Sequence, residues 1–292
     1  MHLYLIPILW FLASAKVTIQ SKFSKSKSKE LRDNVFFNAV MFSAIALMFL
    51  PALIINGALP ETVLYAAILG VLSVFYQIFY VCAFAIGKTS LTVMINNFSL
   101  LIPTVFSHLV YGDELGLLKI IGILLVLVSF MLNVSKEPSH TKASAKQHIL
   151  WLLFTLAVFL SNGLSSITQK VYANVTPEYQ VFEYVAVSYI TASTVSWVIF
   201  LLLKKKQPAD PQTKPHISVV PAAVSGFILG IFQCVNTYSV SVIDATVLYP
   251  VMNCGVSVLL VLIGKVFFHE KLTVKQWITV VLGVISIALI SI

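Results

Sequence analysis

Residues 66–77 read AAILGVLSVFYQ, and residues 222–233 read AAVSGFILGIFQ. Ala66, Ala67, Gly70 and Gln77 recur 156 positions later as Ala222, Ala223, Gly226 and Gln233, and the same offset carries Asn97 onto Asn253 and Glu114 onto Glu270. Six identities in one ungapped register mark an internal duplication. Upstream, Phe11, Leu12, Ile19 and Lys22 match Phe159, Leu160, Ile167 and Lys170 at an offset of 148. The two offsets differ by eight residues, so the second copy carries an insertion. Its expected place is the Lys- and Pro-rich loop from Lys204 to His216, where the first copy has only the turn Asn56-Gly57-Ala58-Leu59-Pro60, because insertions collect in loops.

Composition decides the medium in which the copies fold. The 292 residues are 59% hydrophobic and 10% charged, with a mean hydropathy of +0.94, which excludes a soluble domain of ordinary make-up. Apolar runs between charged or Pro/Gly punctuation predict ten membrane spans, near 3–20, 34–55, 62–86, 89–111, 117–134, 149–171, 180–203, 217–241, 244–268 and 276–292. Each copy then holds an odd number of spans, so the second must lie upside down in the bilayer, as in transporters built from inverted repeats. The expected fold is an all-α membrane protein of ten transmembrane helices in two inverted five-helix repeats: residues 1–136, a linker at 137–148, and 149–292. The run Leu3 to Leu12 followed by Ala13-Ser14-Ala15 imitates a secretory leader. It lacks the basic residues that precede such a core and aligns with an internal span, so it reads as span one. Cys82, Cys234 and Cys254 all fall within apolar runs and read as small packing residues.

Charge orients the chain. The loops after spans one, three, five, seven and nine carry 16 of the 19 basic residues, from the Lys22 to Arg32 cluster to Lys275. The opposite side has only Lys119 and Lys170. The positive-inside rule places the basic side in the cytoplasm and both termini outside. The net charge of +8 is thus topological, and nucleic acid is not an expected partner.

Five spans repeated in inverted orientation, with Glu114 and Glu270 just after spans four and nine, resemble the drug/metabolite transporter superfamily, EamA-type branch, over nearly the whole chain. The strongest local likeness is Phe268-His269-Glu270-Lys271-Leu272-Thr273 leading into Gln276-Trp277, similar to that family's Glu-x-Leu-Thr turn. Members often carry Trp-Gly in spans one and six ahead of a Lys; this chain has Ser14-Ala15 and Asn162-Gly163 there, ahead of Lys22 and Lys170. The resemblance implies a central cavity lined by spans one, three, four, six, eight and nine. On span eight Ala222, Gly226 and Gly230 form a small-residue face with its mate at Ala66 and Gly70, which predicts that spans three and eight pack tightly together. Spans two, five, seven and ten are aliphatic in their middles and are expected to face lipid.

Uncharged polar side chains at membrane depth are the candidates for solute contact. They are the repeat mates Gln77 and Gln233, the aromatic pair Tyr76 and Tyr80 beside the first, Asn236 beside the second, Asn162 in span six, and Asn97 and Asn253 in spans four and nine. An amide in hydrocarbon must find a partner. That partner is either a solute near the midplane or another helix, where such bonds are worth roughly 0.6–2 kcal/mol. Pro103 and Pro250 each free a carbonyl near this region. All eleven carboxylates fall in loops or within a turn of a span end, with Glu183 and Asp244 the ones expected to dip inward. No cluster of His, Asp, Glu or Cys at catalytic or metal-ligand spacing appears, so no enzyme, metal or cofactor is expected. The reading is a monomeric plasma-membrane carrier of small neutral or zwitterionic, amino-acid-like metabolites, working by alternating access with export as the expected direction. The alternatives are an exporter of drugs or lipophilic cations, against which the missing midplane carboxylate counts, and a scaffold that transports nothing.

Overall fold

The structure is a computed structural model that describes residues 2–15, 31–86, 89–132, 145–176, 179–206, 219–268 and 273–292. Lys16, the Lys22 to Lys29 cluster, most of the Lys204 to His216 loop and Glu270 lie outside the described residues. The described chain is helical: α1 (Leu5–Ala15), α2 (Leu31–Asn56), α3 (Pro60–Ile86), α4 (Thr89–Phe98), α5 (Leu101–Tyr111), α6 (Leu117–Leu132), α7 (Ala145–Val175), α8 (Val181–Lys206), α9 (Val219–Val242), α10 (Ala245–Phe268) and α11 (Val274–Ser291). Eight segments are long and apolar enough to cross a membrane, one of them being α4 and α5 together, and α1 and α6 are shorter apolar helices. Among the described residues these eight candidates and two shorter helices fall in the order of the ten expected spans.

Span four is broken where the sequence reads as continuous. Pro103 has no N–H to carry the helical ladder back to Ser99. The chain tightens there instead, with Ser99, Leu100 and Ile102 donating to the carbonyls of Asn96, Asn97 and Ser99 at 3.0, 3.3 and 3.1 Å. Pro250 in α10 causes no such break. Thr273 caps α11 through a reciprocal capping box with Gln276, the described end of the turn noted above.

The repeat mates α2 and α8 share the largest interface in the molecule, and the mates α6 and α11 share another. These contacts between equivalents mark the pseudo-two-fold axis. Two expectations are corrected here. Spans three and eight do not pack on each other; Gly70 of α3 seats against α8, where an added Cβ would lie 2.3 Å from the Ser188 carbonyl oxygen. Gly226 of α9 seats against α2, where the equivalent distance to the Met41 carbonyl is 2.5 Å. Spans two and seven face lipid on one side only: Phe37, Met41, Phe42 and Ile45 interlock with Val185, Ala186, Tyr189 and Ala192, while Leu47, Ile54, Val198 and Leu201 on their outer faces are exposed. Both corrections have one cause. Bulky faces on α2 and α8 fill the axis, and the small faces of α3 and α9 dock onto that pair from outside. The expectation for spans five and ten fits their outer faces, since Leu124, Val128, Val281 and Ile285 are exposed.

Two large apolar clusters and one small one follow from this packing. One large cluster joins α2, α3, α8 and α9, and the other joins α1, α6, α10 and α11 with Val240 of α9 and with Leu100 between α4 and α5; the small one joins Ala66 and Leu69 of α3 to Tyr172 of α7 and Tyr184 of α8. α7 packs chiefly on α3 and meets α4 and α5 along its other side, so it forms the seam between the two large clusters.

Candidate functional site

Along that seam α7 and the broken span four run in the same direction and touch at successive levels. Trp151 Nε1 donates to Thr92 Oγ1 at 3.0 Å. About eleven residues on, Asn162 Nδ2 donates to Asn96 Oδ1 at 3.2 Å and to Ser99 Oγ at 2.7 Å. Gly163 lets Ile102 sit where a side chain would stand, 2.3 Å from an ideal Cβ. The tightened turn ahead of Pro103 presents Ser99 to Asn162, so the chain break and the amide contact are one feature. Tyr76 of α3 lies close to Asn96, and Tyr80 stacks on Tyr76 with ring centroids 5.4 Å apart. Tyr76, Asn96, Ser99 and Asn162 thus meet at one place on three helices.

A cavity of about 260 Å³ lies next to Asn96 on α4, between α4, α6 and α10; spans four, five and nine line it, which corrects the implied lining by spans one, three, four, six, eight and nine, because Phe130 of span five turns inward. Asn97 and Ser257 supply its polar lining, and Val93, Met94, Phe130, Leu260 and Val261 its apolar walls. Phe130 lies near the end of α6, Val93 near the start of α4, and Leu260 in the second half of α10. The cavity therefore belongs to the half of the molecule near the basic loops. Asn253 is one turn from Ser257; its Nδ2 donates to the Tyr249 carbonyl at 2.8 Å, and its own carbonyl accepts from Ser257 Oγ at 3.0 Å. Trp10 closes this region from α1, packed over Gly255 and donating from Nε1 to the Val251 carbonyl at 3.1 Å.

The other candidates lie elsewhere. Gln77 is buried with Asn38, Phe42 and Ser196 around a narrow cleft between α2, α3 and α8. Gln233 lies two turns beyond Gly226 and so falls on the α2-facing side of α9, the equivalent place. Asn236 is buried near the far end of α9, where its Nδ2 donates to Gln169 Oε1 at 2.8 Å. Sequence reasoning joined Gln77 to Tyr76 because they are neighbours in the chain, but successive residues on a helix point about 100° apart.

Charge is buried where the sequence suggested a loop. Lys170, counted with the sparse cations of the far face, lies 3.3 Å from Asp113, with side chains only 9% and 10% exposed. Asp113 Oδ2 also accepts from Ser107 Oγ and from the Ala245 N–H at 2.9 Å. Of the two carboxylates expected to dip inward, Glu183 is buried and accepts from Asn56 Nδ2 at 2.6 Å, whereas Asp244 is exposed at the head of α10. His108 Nδ1 donates to the Asp113 carbonyl at 2.9 Å. A lysine seven residues after the Asn162-Gly163 pair was the available sign of the ion pair. Its partner lies 57 positions away in a turn, which no local pattern links to it. Among the described residues no group of three His, Cys, Asp or Glu is placed to hold a metal ion.

A family model described as the EamA-like transporter family matches residues 5–135 and again residues 149–292. Chains of solved structures that match number 28. One, described only as "Crystal structure of protein", is 17% identical with a TM-score of 0.75, covering 97% of this chain and 95% of its own. At that identity the likeness speaks for the fold alone. No curated protein matches.

Proposed function

Because the chain belongs to the EamA-like transporter family, a family of membrane transporters and not of enzymes, we propose that it carries small neutral or zwitterionic, amino-acid-like metabolites by alternating access. The proposed direction is export across the plasma membrane, with the protein acting as a monomer. The observation that carries this reading is the cavity beside the amide cluster. At about 260 Å³ it sits just under the range of roughly 300–1,000 Å³ common for small-ligand sites, which suits a small solute. Asn97 and Ser257 offer hydrogen bonds to a polar end, and the apolar walls suit a hydrocarbon side chain. In this reading Asn162, Tyr76, Tyr80 and Asn253 continue the solute path beyond the cavity, which none of them lines. Gln77, Gln233 and Asn236 join helices in this reading. The carboxylates nearest the interior are held by Lys170 and Asn56 and are not offered to a cation.

A second reading, an exporter of lipophilic cations, has one observation in its favour. Tyr80 lies between Tyr76 and Phe84, stacked on the first at 5.4 Å and tilted against the second at 4.3 Å, and such rings attract cations. Thermal unfolding of the purified protein across a solute panel separates the two. A neutral amino-acid-like solute at 100 times its Kd should stabilise the fold by about 2.7 kcal/mol. Stabilisation by lipophilic cations alone would replace the first reading with the second.

Orientation is a further prediction of the same reading. With 16 basic residues on one side against two on the other, both termini should lie outside. A cysteine appended after Ile292 should react with an impermeant maleimide applied to intact cells, and a cysteine at position 210 should not. The reverse pattern overturns the orientation.

A further inference from the structure

The half of the molecule opposite the cavity holds four of the buried polar atoms that have no hydrogen-bond partner among the described residues; Thr155 Oγ1, Ser196 Oγ and Ser225 Oγ are others, nearer the basic loops. The four are Tyr184 Oη, Asn236 Oδ1, Thr237 Oγ1 and Thr246 Oγ1. They lie within about two turns of the far ends of their helices: Tyr184 near the start of α8, Asn236 and Thr237 near the end of α9, Thr246 at the start of α10. Tyrosines fill the space between them. Tyr184 stacks on Tyr172 at 4.2 Å, Tyr179 lies 5.1 Å from Tyr172, and the Tyr179 hydroxyl donates to the Thr237 carbonyl. Such a composition does not suit a sealed core, because an unpaired buried polar group loses its hydration and gains nothing in return. It suits a surface that spends part of its time wet.

Directly beside this layer lies the Asp113–Lys170 pair. Lys170 stands on α7, and Asp113 stands in the α5–α6 turn and holds the first N–H of α10. The pair therefore ties the seam helix, which packs on α3, to the apolar cluster built on α10. Lys170 also lies 5.9 Å from the Tyr111 ring centroid on α5. We propose that the tyrosine and amide layer is the shut half of the solute path, and that the Asp113–Lys170 pair is the latch that keeps it shut while the cavity on the basic-loop side is open. The proposal rests on the transport reading. The latch closes one state by joining charges across the seam, and the unpaired hydroxyls and amide favour the other state by regaining water or solute when the seam parts. Two opposed terms of this kind give a switch two positions.

Cross-linking tests it. Cysteines at Asp113 and Lys170, joined by a short bifunctional methanethiosulfonate reagent, should stop flux in proteoliposomes by tenfold or more, and reductant should restore it; the same reagent on the wild-type chain controls for Cys82, Cys234 and Cys254. A second measurement does not need flux. Thr237→Cys should react slowly with an impermeant maleimide applied on the Asp113 side. It should react at least fivefold faster when Asp113→Asn and Lys170→Gln are combined, the two charges being removed together so that neither is stranded. Flux unchanged by the cross-link, or Thr237→Cys labelling unchanged by the double variant, overturns the latch. If no solute moves before cross-linking, the transport reading fails, while the labelling rate still decides whether the pair holds the layer closed.

Discussion

Gly226→Val should destabilise the fold by about 3 kcal/mol. Helices in lipid gain little from burying apolar surface against each other, so close approach and shape carry their association. At Gly226 an added Cβ would meet the backbone oxygen of Met41 at 2.5 Å, and at Gly70 the backbone oxygen of Ser188 at 2.3 Å. Neither oxygen belongs to a side chain that can swing aside. Overpacking a fitted site costs about 1–3 kcal/mol and sometimes more. A β-branched residue pressed into a helix backbone belongs at the upper end, about 3 kcal/mol. Gly226→Val and Gly70→Val should each lower the unfolding temperature markedly in detergent, and Gly116→Ala should not, since nothing lies within 4 Å of Gly116. Wild-type unfolding of Gly226→Val would show that α9 does not seat on α2 as described.

Asn162→Leu should lower flux by tenfold or more in protein that remains folded. Leucine keeps the volume but removes the donor shared by Asn96 and Ser99, whose acceptors are then left unpaired. A tenfold loss corresponds to about 1.4 kcal/mol, within reach of two such bonds. Gln77→Leu makes the contrast. Gln77 lies among Asn38, Phe42 and Ser196 between helices, so its loss should appear in the unfolding temperature and leave the flux of the folded fraction at the wild-type rate. If Asn162→Leu transports normally, or if Gln77→Leu loses flux without losing stability, the division of amides into path and packing is reversed.

Much of the fold is legible in the chain because it depends on properties that run along the chain. Hydropathy alone places ten spans, because hydrocarbon requires each segment to satisfy its own backbone. The 156-residue register between Gln77 and Gln233 marks the duplication, and an odd number of spans per copy makes the copies opposed. The glycines at 70 and 226 announce close contacts. What they do not announce is the partner. A small face says that something approaches, and in lipid the identity of that something depends on which bulky faces have taken the axis, a property of two surfaces at once. That is why α3 and α9 were expected to meet and instead dock on α8 and α2. The site divides in the same way. Amides at depth could be read from sequence, but only the tertiary structure set Asn162 against Asn96 and Ser99 and turned Gln77 toward α2 and α8. It alone joined Lys170 to Asp113 across the seam, since a charge pair depends on distance in space and hydropathy records only distance along the chain.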